Sequence, residues 1–354
     1  MPQEFIGIQL LRFAAAMLVV AMHITQAHSI YITGAGGGNY WESGSAGVDI
    51  FFVISGFVMG ITTANLPKTQ QSRFSAAWVF IKRRFMRIAP LYWFYTLLKV
   101  CLLLTLPSLA MKSSIDSGHL AASLLFLPAV SPWNAVEPLL PVGWTLNFEM
   151  LFYAVFAVAI ALGAPRIRFC LLVFLLLFLA SQHLPASVPL RFYARSIIFE
   201  FILGVCISHA YVRFRRGSPG VGLLLFLAGL ALIFAVGWGP ETDRLTSWGF
   251  GAALVVLGIV WLEPWTARRH LTKRLAFFGD ASYSIYLSHT FVVPAGVMLL
   301  RKVGISGAVP IMLAVSLTVV MTGCLAYVLI ERPMTNFLKR AFFTPLKPNY
   351  PNIN

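Results

Sequence analysis

The sequence predicts an all-α polytopic membrane protein of about ten transmembrane helices, with one additional re-entrant or interfacial segment and both termini cytoplasmic. Three observations predict it. The 354 residues are 58% hydrophobic and only 11% charged, with a mean hydropathy of +0.80, whereas a soluble domain carries about 25% charged residues. Apolar runs long enough to cross a bilayer recur along the whole chain. The basic residues gather between those runs. No stretch between runs exceeds about 35 residues, short of the 50 or so that an independent domain needs. A single transmembrane domain is therefore expected over 1–340, followed by a cytoplasmic tail over 341–354.

The runs fall at 8–27, 46–64, 88–107, 144–162, 168–184, 195–211, 219–237, 246–263, 281–300 and 307–330. The first lacks a small-residue cleavage pattern and reads as a retained span. A further run, His119 to Pro128, covers about ten residues, too few to span. Charge parity settles its nature. The basic clusters are Lys68, Arg73, Lys82, Arg83, Arg84 and Arg87; Arg166 and Arg168; Arg213, Arg215 and Arg216; Arg268, Arg269, Lys273 and Arg274; and Arg332, Lys339, Arg340 and Lys347. Treating 119–128 as re-entrant leaves every cluster on the cytoplasmic side, as the positive-inside rule requires. The segment 108–143 becomes the largest external loop, and 65–87 the largest internal loop with the densest basic cluster.

This topology orients the chemistry. Arg12 and His23 both lie in the first run, eleven residues apart. Eleven steps of 100° make about three turns, so they share one helix face roughly 16 Å apart along the axis. Arg12 falls toward the cytoplasmic half and His23 near the outer end. The modest reading is a snorkelling arginine and a histidine capping the helix. The functional reading rests on the shared face and on the cost of an intramembrane charge: His23 takes a proton from a hydroxyl or carries an acyl group, and Arg12 anchors an anionic group or a carbonyl.

Other constellations also admit two readings. Lys82-Arg83-Arg84-x-x-Arg87 is either an orientation anchor or a phosphate clamp, Arg84 and Arg87 being three apart on a helix. Asp49, Glu149 and Glu200 are carboxylates inside apolar runs. Asp49 or Glu149 is placed to orient His23, with pairing to Arg195 or another basic group as the alternative, and Glu200 lies five residues from Arg195. Trp144, Asn147 and Glu149 are expected in the outer half of the fourth span. The stripe Ser282 to His289, including Tyr286, either lines a site or bonds between helices. Trp41, Trp133 and Trp144 lie toward the external face, suited to stacking on sugar rings or to the interfacial aromatic belt.

Several classes are disfavoured. The net charge of +15 is explained by topology rather than by nucleic-acid binding. The four cysteines, Cys101, Cys170, Cys206 and Cys324, lack metal or disulfide spacing and read as small buried hydrophobes. The glycine-rich stretch 34–38 has no P-loop lysine and reads as a flexible loop. Neither HExxH nor GxSxG occurs.

The chain resembles the acyltransferase-3 family of bacterial inner-membrane proteins. The resemblance is carried by Arg12-x10-His23, GVDIFFVISGFVM, RRFMRIAPLYW, PVGWTLNFEMLFY, SYSIYLSH and the terminal IERP, in that order along nearly the whole chain. It implies a multi-pass enzyme of the bacterial inner membrane that takes acetyl or another short acyl group from cytoplasmic acyl-CoA and passes it to a carbohydrate hydroxyl on the far side. It implies essential roles for Arg12 and His23, contact with CoA for Arg83, Arg84 and Arg87, and no permanently bound cofactor or metal. Asp49 and Glu149 are the expected acid partners of His23. Trp144, Asn147, Tyr286 and His289 are the expected acceptor contacts. Some members carry a fused C-terminal SGNH hydrolase-like domain, which the short sequence after the last span leads us not to expect here. The remaining partners would be membrane lipids, without nucleic acid. The alternative is a transporter or flippase for a lipid-linked sugar or small anion, using the same buried charges as a path. The lack of visible internal repeats weighs against it.

Overall fold

The computed structural model describes residues 5–34, 41–64, 66, 69–106, 114–184, 187–214, 217–235 and 243–342. Lys68, Arg215, Arg216, Lys347 and most of the glycine-rich stretch and C-terminal tail lie outside the described residues. Within them the chain is helical, the one β contact being the isolated bridge between Val130 and Val136. A backbone in hydrocarbon has no water to bond, so the apolar runs close their own hydrogen bonds as helices.

The helices are α1 (Ile6–His28), α2 (Ala46–Thr62), α3 (Gln70–Thr105), α4 (Ser117–Leu124), α5 (Trp144–Leu162), α6 (Arg166–His183) and α7 (Val188–Tyr193). They continue with α8 (Phe199–Arg213), α9 (Pro219–Ala235), α10 (Phe250–Thr266), α11 (His270–Asp280), α12 (Ser282–Lys302), α13 (Ala308–Ala326) and α14 (Arg332–Phe342). Nine helical segments among the described residues are long and apolar enough to span. The tenth expected span is α9, an apolar helix of 17 residues, at the short end of what crosses a bilayer. The run at 119–128 yields only the eight-residue α4, too short to cross. Two features correct the sequence reading. Residues 70–87 are the first half of the 36-residue α3, not a loop, because their apolar residues recur at helical spacing with no breaker among them. Only Cys170 is buried, while Cys101 and Cys206 are exposed. Lipid is as apolar as a protein interior, so a cysteine in a span need not face inward.

The outward faces show the same solvent. On α13, Val309, Leu313, Leu317, Met321 and Leu325 form an exposed stripe four residues apart, and a continuous apolar surface of this kind needs a hydrocarbon cover. Inside, α1 is the hub. It packs against α2, α10, α11, α12 and α13, burying Leu11, Ala15, Ala16, Val19, Val20 and Ile24. The helix α2 packs closely on α8, where a Cβ on Gly56 would sit 2.0 Å from the Phe201 carbonyl oxygen. Small residues on both sides permit this approach. The ring of Phe201 stacks between Phe52 and Phe152, with centroids 4.5 and 4.4 Å away. Two carboxylate oxygens of Glu263 on α10 accept from the backbone N–H groups of Ile6 and Gly7, at 2.7 and 2.8 Å. These are donors that a helix start leaves unpaired, so α10 anchors α1 in depth.

Candidate active site

The register of α1 places Arg12 and His23 in two different cavities of the bundle. Arg12 lines a cavity of about 150 Å³, called inner after the topology expected from the charge pattern, with Ser55, Arg84, Arg87, Glu149, Tyr153 and Tyr283. His23 lines an outer cavity of about 530 Å³ with Lys99, Glu137, Trp144, Arg244 and His289. Val48 and Tyr286 line both, so they form the shared wall. Helix α1 is continuous between the two residues, so the shared stripe runs from one chamber to the other.

In the inner cavity, Arg12 Nη1 donates to Gln9 Oε1 at 3.1 Å, and Gln9 Nε2 donates to Asp280 Oδ1 at 2.8 Å. Arg84 Nη2 donates to Thr62 Oγ1 at 3.1 Å and its guanidinium lies over the Phe80 ring. Arg84 and Arg87 reach the cavity from adjacent turns of α3. Arg83 is exposed and does not line it, being one residue, about 100°, around the helix from Arg84.

Neither carboxylate expected to orient His23 bonds to it. Glu149 lies in the inner cavity and accepts from Ser55 Oγ at 2.9 Å and from Tyr153 Oη. The reason is helical rotation. Five residues turn the chain about 140° from Trp144, so Trp144 faces the outer chamber, while Thr145 and Glu149, four apart, face the inner one. Asp49 is fully buried and paired with Arg244, whose Nε and Nη2 reach Oδ1 and Oδ2 at 3.0 and 2.8 Å. A bidentate guanidinium satisfies a buried carboxylate better than an imidazole can. Nor does Arg195 pair with Glu200. Its guanidinium lies over the Phe192 ring, and Glu200 is buried with no hydrogen bond among the described residues.

His23 is oriented instead by its own helix. Its Nδ1 lies 2.9 Å from the Val19 carbonyl oxygen. A carbonyl only accepts, so Nδ1 carries the proton and Nε2 keeps its lone pair for a substrate. The His289 ring is buried with its centroid 4.8 Å from that of His23. Tyr286 Oη donates to the Val142 carbonyl at 3.1 Å and lies 3.1 Å from Thr145 Oγ1, which holds the phenol in the wall. Asn147 is buried and lines neither cavity. Trp41 stacks on Phe234, and Trp133 Nε1 donates to Glu137 Oε1 at 2.6 Å; neither reaches the outer cavity.

Sequence reasoning missed Arg244, Lys99 and Glu137. Arg244 had a readable signal, since the topology expected from the positive-inside rule puts it on the side poor in arginine. Besides Asp49 it donates to the Ser45 carbonyl at 2.9 Å, and its guanidinium lies over the Trp144 and Trp248 rings. These contacts fix the guanidinium in the wall of the outer chamber. Among the described residues no cluster of three or more histidine, cysteine or acidic side chains is arranged to hold a metal.

Comparison with known proteins adds the chemistry. The acyltransferase domain family matches residues 5–330. The chain is 37% identical over 303 residues to the exopolysaccharide production protein ExoZ of Rhizobium meliloti (strain 1021), covering 84% of this chain and 91% of that one. It is 24% identical over 374 residues to the acyltransferase MdmB of Streptomyces mycarofaciens, covering 93% and 91%. It is 30% identical over 169 residues to protein 2 in the picA locus of Rhizobium radiobacter, covering 44% and 82%. No solved structure matches.

Proposed function

The chain belongs to the acyltransferase-3 family, and we propose that it moves an acyl group, most simply acetyl, from cytoplasmic acyl-CoA to a hydroxyl of a cell-surface or lipid-linked carbohydrate in the bacterial inner membrane. The observation that carries this reading is the pair of chambers meeting at Val48 and Tyr286, with Arg12, Arg84 and Arg87 in one and both imidazoles, His23 and His289, in the other. The relative named for exopolysaccharide production supports a carbohydrate acceptor.

In this reading the acylated arm of the donor enters the inner cavity. Arg84 and Arg87 attract its phosphates through charge-assisted bonds, Arg83 adds positive charge outside, and Arg12 holds the pantetheine arm so that the thioester reaches the shared wall toward His23. The acceptor lies in the outer cavity with Trp144 as a stacking surface, beside Tyr286 and His289. His23 Nε2 takes the proton of the acceptor hydroxyl as its oxygen attacks the thioester carbon. The C–O bond forms, the C–S bond breaks, and CoA leaves as the thiol after taking that proton. An acyl-His23 relay uses the same Nε2 lone pair as a nucleophile. Asp49 fixes Arg244 and Glu149 fixes Ser55 and Tyr153, so both act on the chamber walls. Labelled acetyl-CoA supplied to inside-out vesicles tests the reading. Label should appear covalently in glycan, whereas solute movement without covalent transfer would overturn the enzyme in favour of a transporter.

A further inference from the structure

The inner cavity holds about 150 Å³, well below the roughly 300–1,000 Å³ of pockets that enclose a drug-sized ligand. It accommodates a slender arm and not an adenine nucleotide. If the donor is acyl-CoA, as proposed above and on which this inference rests, the nucleotide must lie against a neighbouring surface that offers cations and aromatic faces.

One cleft meets that requirement. It is lined by Ile6, Lys273, Phe277, Asp280, Tyr327 and Arg332, between the start of α1, the helix α11 and the junction of α13 with α14. It adjoins the inner cavity through a short chain of contacts. Asp280 in the cleft accepts from Gln9, and Gln9 accepts from Arg12 in the cavity. Tyr327 has among its charged neighbours both Arg87, which lines the cavity, and Arg332, which lines the cleft. The carboxylate of Asp280 is engaged by Gln9, while Lys273 and Arg332 make no ion pair among the described residues. Phe277 and Tyr327 meet edge to face with centroids 5.7 Å apart, and Phe277 is exposed. Two cations free to take a phosphate beside an open aromatic pair match a phosphorylated purine nucleoside, since bases stack on aromatic side chains and phosphates take Lys and Arg.

We propose that this cleft seats the 3′-phosphoadenosine end of the CoA donor, with Lys273 and Arg332 on the 3′-phosphate and Phe277 and Tyr327 against the adenine. The diphosphate then falls at Arg84 and Arg87 and the pantetheine arm runs past Arg12. The test is equilibrium binding of CoA and of dephospho-CoA, which lacks the 3′-phosphate, to the purified full chain in detergent. The wild type should favour CoA. Lys273→Ala and Arg332→Ala should each weaken CoA binding about tenfold, the effect of one charge-assisted bond, and erase most of that preference. Lys273→Arg should keep it. Alanine variants that discriminate like wild type, or a wild type that binds both ligands equally, would overturn the proposal. Binding of neither ligand by the wild type would instead overturn the acyl-CoA reading beneath it. A measurement without any variant is photolabelling by an 8-azidoadenine analogue of CoA. Label should fall on peptides carrying Phe277 or Tyr327, and label confined to α3 would overturn the proposal.

Discussion

The inner chamber of about 150 Å³ is lined by three arginines and Glu149, while the outer chamber of about 530 Å³ is lined by two histidines, Trp144, Lys99, Glu137 and Arg244. Guanidinium groups present a planar fork of donors, which suits a ligand carrying phosphates or a carbonyl. An imidazole with a free ring lone pair can accept a proton, which suits a step in which a hydroxyl loses one. The narrow space fits a flexible arm, and the wide one with an indole in its wall fits a ring. The contrast teaches that, in the proposed reaction, donor binding and proton transfer would fall at opposite ends of one helix. The depth of α1, set by the Glu263 contact with its first turn, therefore bears on both.

The largest expected effect is on the outer side. His23→Ala should lower acylation by about 10²- to 10⁴-fold, the usual contribution of a general base, with unchanged protein in the membrane. Labelled acetyl incorporation into glycan measures it, and wild-type-like activity would remove the outer chamber from the chemistry. Next comes the buried pair. Asp49→Ala or Arg244→Ala alone should destabilise by about 3–5 kcal/mol, because each leaves a buried charge without its partner. The double variant should cost less than the sum of the singles in thermal melts in detergent. Additive losses would mean that Asp49 serves something other than Arg244.

On the inner side the effect should be smaller. Arg12→Lys keeps the charge and loses the planar fork, so kcat/KM for the acyl donor should fall about tenfold to a hundredfold. Full activity would show that charge alone is needed there. The smallest effect should come from Glu263→Ala, which uncaps α1 and should cost about 1 kcal/mol in thermal stability. A much larger loss of activity than of stability would show that the depth of α1 sets the alignment of both chambers.

The spans, the shortness of the helix at 119–128 and the common stripe of Arg12 and His23 were legible in the chain, and so was the cluster that supplies Arg84 and Arg87. The partners of the buried acids were not. Asp49 and Arg244 are 195 residues apart, and nothing local to either marks the other. Glu149 was placed by depth alone, and depth does not state which side of α5 a residue faces. Cys101 and Cys206 were misplaced for a related reason: an apolar segment in lipid carries the same composition on its inner and outer faces.

Hydropathy, charge clustering and residue spacing thus determine that this chain crosses a membrane many times and that an arginine and a histidine share one helix at two depths. These are local quantities, set by the cost of exposing charge or bare backbone to hydrocarbon. That the two residues open into separate chambers, that Tyr286 and Val48 divide them, and that Asp49 belongs to Arg244 was decided by tertiary structure. Such pairings depend on how each helix is rotated against neighbours far away in sequence, and that rotation is chosen by packing the whole bundle at once.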